Sequence, residues 1–239
     1  MALVTNGDYL CPNHTKGEAR LGETLRAMKK LGVLEENIYF LGFPDTGYEP
    51  EIAFLCDLRR AEDPHKLYPS SCSRETYGIP GVKEDFCFQR TGKHAPYTRA
   101  AFEAEFNALL EAAAPDLVIT TGEFDEHGDH TALSWFTRRA LRERTPRPRL
   151  WQGIVHSPAG DLSWPVLEHY EDPLTCIPDL EKVTNLCWED RISVPTPSDT
   201  DKLALISSYH TALNPDEPEV VAYLKSFAKA DEVFWEIPL

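Results

Sequence analysis

The run Asp116-Leu117-Val118-Ile119-Thr120-Thr121-Gly122-Glu123-Phe124-Asp125-Glu126-His127-Gly128-Asp129-His130 changes character twice. Asp116 to Thr120 reads as a short, apolar, β-branched strand. The ten residues from Thr121 to His130 are polar and hold two histidines and four carboxylates. From about Thr131, the recurrence of Ala132, Leu133, Trp135, Phe136, Ala140 and Leu141 predicts a helix that ends in arginine-rich residues before Pro146. A strand that empties into a histidine-rich loop and then a helix is where open α/β sheets place their ligands.

The chain on either side fits that arrangement. Met1-Ala2-Leu3-Val4-Thr5 reads as the last half of a strand, closed by the turn signal Asn6-Gly7-Asp8, and the expectation is that further strand sequence precedes it. Leu21, Leu25, Met28 and Leu31 recur at helical spacing, with Gly32 as the stop. Ile38 to Phe43 reads as a buried strand closed by Pro44-Asp45-Thr46-Gly47. Strand, helix and strand at this spacing predict a βαβ unit and a parallel sheet. Residues 51–96 lose the pattern and read as an irregular insertion, a lid or specificity segment beside the site. Order returns with a helix through Phe102, Phe106, Leu109 and Leu110. Further on, Leu150 to His156 reads as a strand, Ile192–Val194 as a short one, Asp201–Leu213 and Val220–Ala228 as helices, and Glu232–Ile237 as a closing strand.

Composition bounds the partners. The 239 residues, 42% hydrophobic and 26% charged, suit one α/β domain spanning 1–239. A formal charge of −15 argues against nucleic acid and against an anionic membrane surface. Six scattered cysteines without a CxxC pair fit a reducing compartment, and a cytoplasmic location is expected. No apolar run approaches the roughly 20 residues that span a bilayer.

The chemistry concentrates in the opening loop. His127 and His130, three apart at a helix start, put two imidazoles on one side of a turn. One can bind a metal while the other hydrogen-bonds a reacting oxygen. Asp125, Glu126 and Asp129 can serve as ligand, orienting partner or base. The bland alternative is a solvated polar loop with incidental histidines. His156, at a predicted strand end, shares the rim on which a parallel sheet presents ligands, or is simply a buried, hydrogen-bonded histidine. Asp45 is a turn former or a second rim residue, and Arg20 a helix-start charge or a substrate clamp. His210, on a predicted helix, reads as a packed surface residue. His14, His65, His94 and His169 have no partner at metal spacing. No GxGxxG, P-loop or GxSxG occurs, so nicotinamide, ATP and serine-hydrolase chemistry lack their signatures.

On these residues the chain resembles the PIG-L/LmbE-like family of zinc-dependent N-deacetylases. Val4-Thr5-Asn6-Gly7-Asp8, Arg20-Leu21-Gly22-Glu23, Leu41-Gly42-Phe43-Pro44-Asp45-Thr46-Gly47, Pro115-Asp116-Leu117-Val118-Ile119 and His127-Gly128-Asp129-His130 carry the resemblance in order. It implies a Rossmann-like, mostly parallel sheet with helices on both faces, and hydrolysis of the N-acetyl group of a small sugar or sugar-like compound. It further implies zinc bound by His130, an oxyanion stabilised by His127, and Asp129 orienting the histidines. Arg20, Asp45 and, through its rim position, His156 would contact substrate.

The family's Ala-His-Pro-Asp-Asp-Glu segment, which ends its first strand and supplies two zinc ligands and the general base, does not occur in this sequence. The resemblance therefore implies a domain read without its first strand, with the remaining ligands expected from that segment. The alternatives are replacement ligands such as His14 or His156, or a sugar-binding descendant without catalysis.

Overall fold

Each half of the chain alternates strand and helix, and in each the strand that feeds the polar turn is parallel to its neighbour. The computed structural model describes residues 1–158, 164–166 and 171–239. They cluster into two units, Met1–Ala114 and Pro115–Leu239. His169 lies outside the described residues.

In the first unit β1 (Ala2–Thr5) leads through α1 (Thr15–Lys30) to β2 (Tyr39–Phe43), which pairs with β1 in parallel. This is the βαβ unit that the spacing predicts. Leu21 of α1 is buried with Ile38 and Phe40, and Leu3, Leu25, Met28, Val33 and Ile79 pack around them. Gly32 stops α1 as expected. Its φ of +74° is open to glycine without a Cβ penalty, and the Val33 N–H returns to the Met28 carbonyl at 3.0 Å.

Residues 51–96 hold more order than their composition suggests. They contain α2 (Phe54–Arg60) and α3 (Phe86–Thr91) and are followed by α4 (Arg99–Ala113), which Thr98 caps by accepting the Ala101 N–H. Phe54, Leu55, Leu58, Tyr77 and Tyr97 are buried, and Phe43 packs against Phe54, Tyr97 and Phe102. The segment is anchored on β2 itself. A Cβ on Gly42, whose φ is +77°, would stand 2.6 Å from the Tyr77 carbonyl oxygen. Only glycine lets the Tyr77 backbone approach so closely.

The second unit runs β3 (Leu117–Thr121), α5 (Gly128–Arg142), β4 (Arg149–Gly153), α6 (Leu180–Val183), β5 (Ile192–Pro195), α7 (Lys202–Ser207), α8 (Pro218–Ser226) and β6 (Asp231–Glu236). The sheet order is β3-β4-β6-β5. β3 and β4 are parallel, in register from Leu117 opposite Arg149 to Thr121 opposite Gly153. β6 is antiparallel to both its neighbours, which makes this sheet mixed. Its alternating burial is that of a strand with one wet face. The α/β class and the parallel βαβ units agree with a Rossmann-like fold. The helix expected over Asp201–Leu213 stops at Ser207, and the strand expected to reach His156 stops at Gly153. Among the described residues, no helix is long and apolar enough to cross a membrane.

Candidate functional site

In the second unit, the loop after β3 and the short loop after β4 meet on one side chain. Asp125 is buried, and four donors converge on its carboxylate. Oδ1 accepts from His130 Nδ1 at 2.9 Å and from the His127 N–H at 3.0 Å. Oδ2 accepts the Val155 N–H at 2.7 Å and the His156 N–H at 3.0 Å. Burial alone raises the Asp125 pKa. The hydrogen bond and charge of His130, with the His127 and Val155 amides, outweigh it and hold the carboxyl below its ordinary value. An ionised carboxylate only accepts, so the Nδ1 proton belongs to His130, and the neutral tautomer with that proton held carries its lone pair on Nε2.

His127 is the N-cap of α5, and its Nδ1 accepts the Asp129 N–H at 3.2 Å. Burial, then the His130 and His156 charges, push its pKa down to about 4 against an opposing pull from Asp125. The ring is therefore neutral at pH 7, and its single proton sits on Nε2 as a donor. His127 and His130 stack with ring centroids 4.6 Å apart.

His156 completes the cluster, its centroid 5.4 Å from that of His130 and 5.7 Å from that of His127. Burial pushes its pKa down to about 4 as well, with Asp125 opposing and His130 reinforcing. Tyr223 of α8 reaches it: the hydroxyl donates to the Val155 carbonyl at 2.6 Å and lies 3.2 Å from His156 Nδ1. Asp125, His130 and His156 each bring a ligand atom within 4.8 Å of the others. An apolar cavity of about 280 Å³ in this unit, lined by Ile119, Val155, Trp164, Phe227 and Trp235 among others, contains none of the three histidines.

The first unit holds Arg20 and Asp45 around a second buried carboxylate. Asp8, at the turn after β1, accepts the Asp45 N–H on Oδ1 at 2.8 Å. Its Oδ2 takes the Tyr77 hydroxyl at 2.7 Å and the Cys72 thiol at 2.9 Å. Asp45 in turn accepts the Gly47 N–H at 3.1 Å. Burial raises the Asp45 pKa; the Gly47 amide lowers it, the Asp8 charge raises it, and the Arg20 and Lys16 charges lower it, with a net rise. Burial and Asp8 push the Cys72 thiol up to about 11, which leaves it protonated and unreactive. Arg20 lies across the turn after β1, where a Cβ on Gly7 (φ +64°) would stand 2.3 Å from Arg20 Nη1. His14 stacks on the Tyr77 ring at 3.9 Å.

Another acidic and histidine group, Glu84, Asp85 and His94, is a turn clamp. Asp85 caps α3 by accepting the Phe88 N–H, accepts the Thr76 hydroxyl and bonds His94, whose ring stacks on Phe88.

The structure thus brings His127, His130 and His156 together with Asp129 in the second unit, and Arg20 with Asp45 in the first. The hub of the histidine cluster is Asp125, which reading the sequence left as one of several carboxylates. Asp129 contributes its backbone N–H to His127. Asp8, Tyr77 and Tyr223 were not singled out. Asp8 entered only within the Asn6-Gly7-Asp8 turn signal and the run Val4–Asp8 that carries the resemblance, and nothing in the sequence marks the two tyrosines.

Compared with known proteins, residues 1–141 match a family model described as PIG-L: GlcNAc-PI de-N-acetylase. No curated protein and no solved structure matches the chain.

Proposed function

Because the chain belongs to the PIG-L family of GlcNAc-PI de-N-acetylases, we propose that it is a metal-dependent hydrolase that removes the acetyl group from an N-acetylated sugar or sugar-like substrate. The observation that carries this reading is the pair of opposite tautomers on adjacent rings. His130, its Nδ1 proton held by Asp125, offers a lone pair to a metal. His127, its Nδ1 occupied by the Asp129 N–H, offers a proton to an oxygen.

The donor set fits zinc, with imidazole nitrogen oriented by a buried carboxylate. When bound, zinc would supply Lewis-acid polarisation of the acyl oxygen and a water of lowered pKa. The residues do the rest. His127 Nε2–H donates to the oxyanion that forms as water adds to the amide carbon. Its low pKa keeps it a neutral donor across the physiological range. Asp129 holds that ring through its backbone N–H, and the cap geometry of α5 fixes its direction. The substrate is a small molecule, and Arg20 and Asp45, whose charges interact in the first unit, are proposed to bind it.

The test is release of free amine. The purified chain, supplied with zinc and an N-acetylglucosaminide, is assayed for amine and acetate. The expected result is release that His130→Ala abolishes. No release above buffer from any N-acetylated amino sugar, with zinc bound, overturns the reading in favour of a protein that binds such compounds without cleaving them.

A further inference from the structure

We propose that His156 is a metal ligand beside His130, so that the second unit holds a divalent cation on two imidazole Nε2 atoms. This rests on the reading of the histidine cluster as a metal site. It adds a ligand that lies, with Tyr223, outside the residues matched by the family model.

The argument is one of tautomers. A phenol has one proton, and a peptide carbonyl can only accept. The Tyr223 hydroxyl spends its proton on the Val155 carbonyl, the shorter contact at 2.6 Å. Its oxygen therefore accepts at 3.2 Å from His156 Nδ1, which must carry the ring proton. That leaves the lone pair on His156 Nε2. The same arrangement holds at His130, where Asp125 takes the Nδ1 proton. Metal-binding histidines characteristically donate their second nitrogen to a fixed acceptor in this way.

Asp125 itself is not the third ligand. Its two oxygens already take four donors, and two of these are the His130 ring and the His156 backbone. It sets the spacing of the two ligand-bearing loops instead. His127 is excluded by its tautomer, since its proton is on Nε2. The site is thus a two-histidine site with its other positions left to water, substrate or further ligands. Two neutral nitrogens with open positions suit zinc or cobalt over magnesium or calcium. The sequence places His156 among the substrate contacts, with a replacement metal ligand as the alternative; its tautomer and its place beside His130 favour the ligand, and make Tyr223 a positioning residue.

The experiment is a titration of the metal-free chain with Co²⁺ and Zn²⁺, followed by visible absorption and by calorimetry. Wild type is expected to bind one ion. His130→Ala and His156→Ala should each weaken it at least about 100-fold, and Tyr223→Phe about 10-fold. If His156→Ala binds as wild type does while His130→Ala fails, His156 is not a ligand and the hydrolase reading stands. If neither matters, both readings fall, and if wild type binds no ion, the ligand assignment falls. Long-range ¹H–¹⁵N spectra of the wild type decide the matter should a variant not fold. His156 must show its proton on Nδ1, and its Nε2 resonance must shift on adding zinc. A proton on Nε2, or no shift, overturns the proposal.

Discussion

Asp125 accepts the ring proton of His130 through one oxygen, while its other oxygen takes the backbone N–H of His156, 31 residues further on. One carboxylate thus sets both the tautomer of one histidine and the position of another. Asp125→Asn is the sharpest test of that double duty. An amide turns at least one buried donor against another, at a cost of about 2–4 kcal/mol. Metal affinity should fall about 10–100-fold with it. Urea unfolding and metal titration of the same variant give both values.

The depressed pKa of Asp125 also fixes an acid limit. A carboxyl held below its unfolded value adds stability that is full above that value, about 4, and is lost as pH falls through the folded one. Wild type should lose stability steeply below about pH 4, and Asp125→Asn should show a shallower loss over the same range. Urea midpoints across that range check it.

His127 and His156 act in a different window. Both fall from 6.5 to about 4, so the unfolded chain binds more protons than the folded one between those values. Stability should be full above pH 6.5 and decline as pH drops toward about 4, with close to two protons taken up on unfolding. His127→Gln should remove about half of that slope. An unchanged slope in denaturation curves contradicts the burial of a neutral ring.

His127→Ala separates donor from ligand. Zinc content should stay at the wild-type level while kcat falls about 10²–10³-fold, the usual loss of one oxyanion donor. Metal analysis and steady-state rates on one preparation decide it.

Gly7→Ala tests the seat of Arg20. The added Cβ meets the guanidinium at 2.3 Å. The positive φ costs about 1–2 kcal/mol. Arg20 must move, and KM should rise about tenfold with kcat nearly held. A change in kcat alone would place Arg20 in the chemistry rather than in binding.

The strand, loop and helix around His127 were legible because the pattern changes sharply there, from a short apolar β-branched run through a polar loop to a helical stripe. The i, i+3 histidines were legible for the same reason. Asp125 was not, since four carboxylates within ten residues look alike until the fold shows which one gathers the four donors. Tyr223 reaches His156 across 67 residues and Tyr77 reaches Asp8 across 69, and no local pattern encodes such contacts. α2 and α3 escaped because helices of seven and six residues are too short for periodicity to declare itself. The direction of β6 was equally hidden, because composition sets a strand's burial and not its sense.

The four donors on Asp125 arrive from two loops that each leave a strand of the same parallel pair. Chain length in both loops is therefore under joint control. One residue inserted between Gly153 and His156 would turn the Val155 and His156 amides off the carboxylate, and one inserted between Gly122 and His127 would do the same from the other side. The turn at 145–148, between α5 and β4, supplies none of those donors. An affinity tag, a spectroscopic label or new chain ends belong there, and a redesigned substrate loop should be built to keep both short loops at their present length.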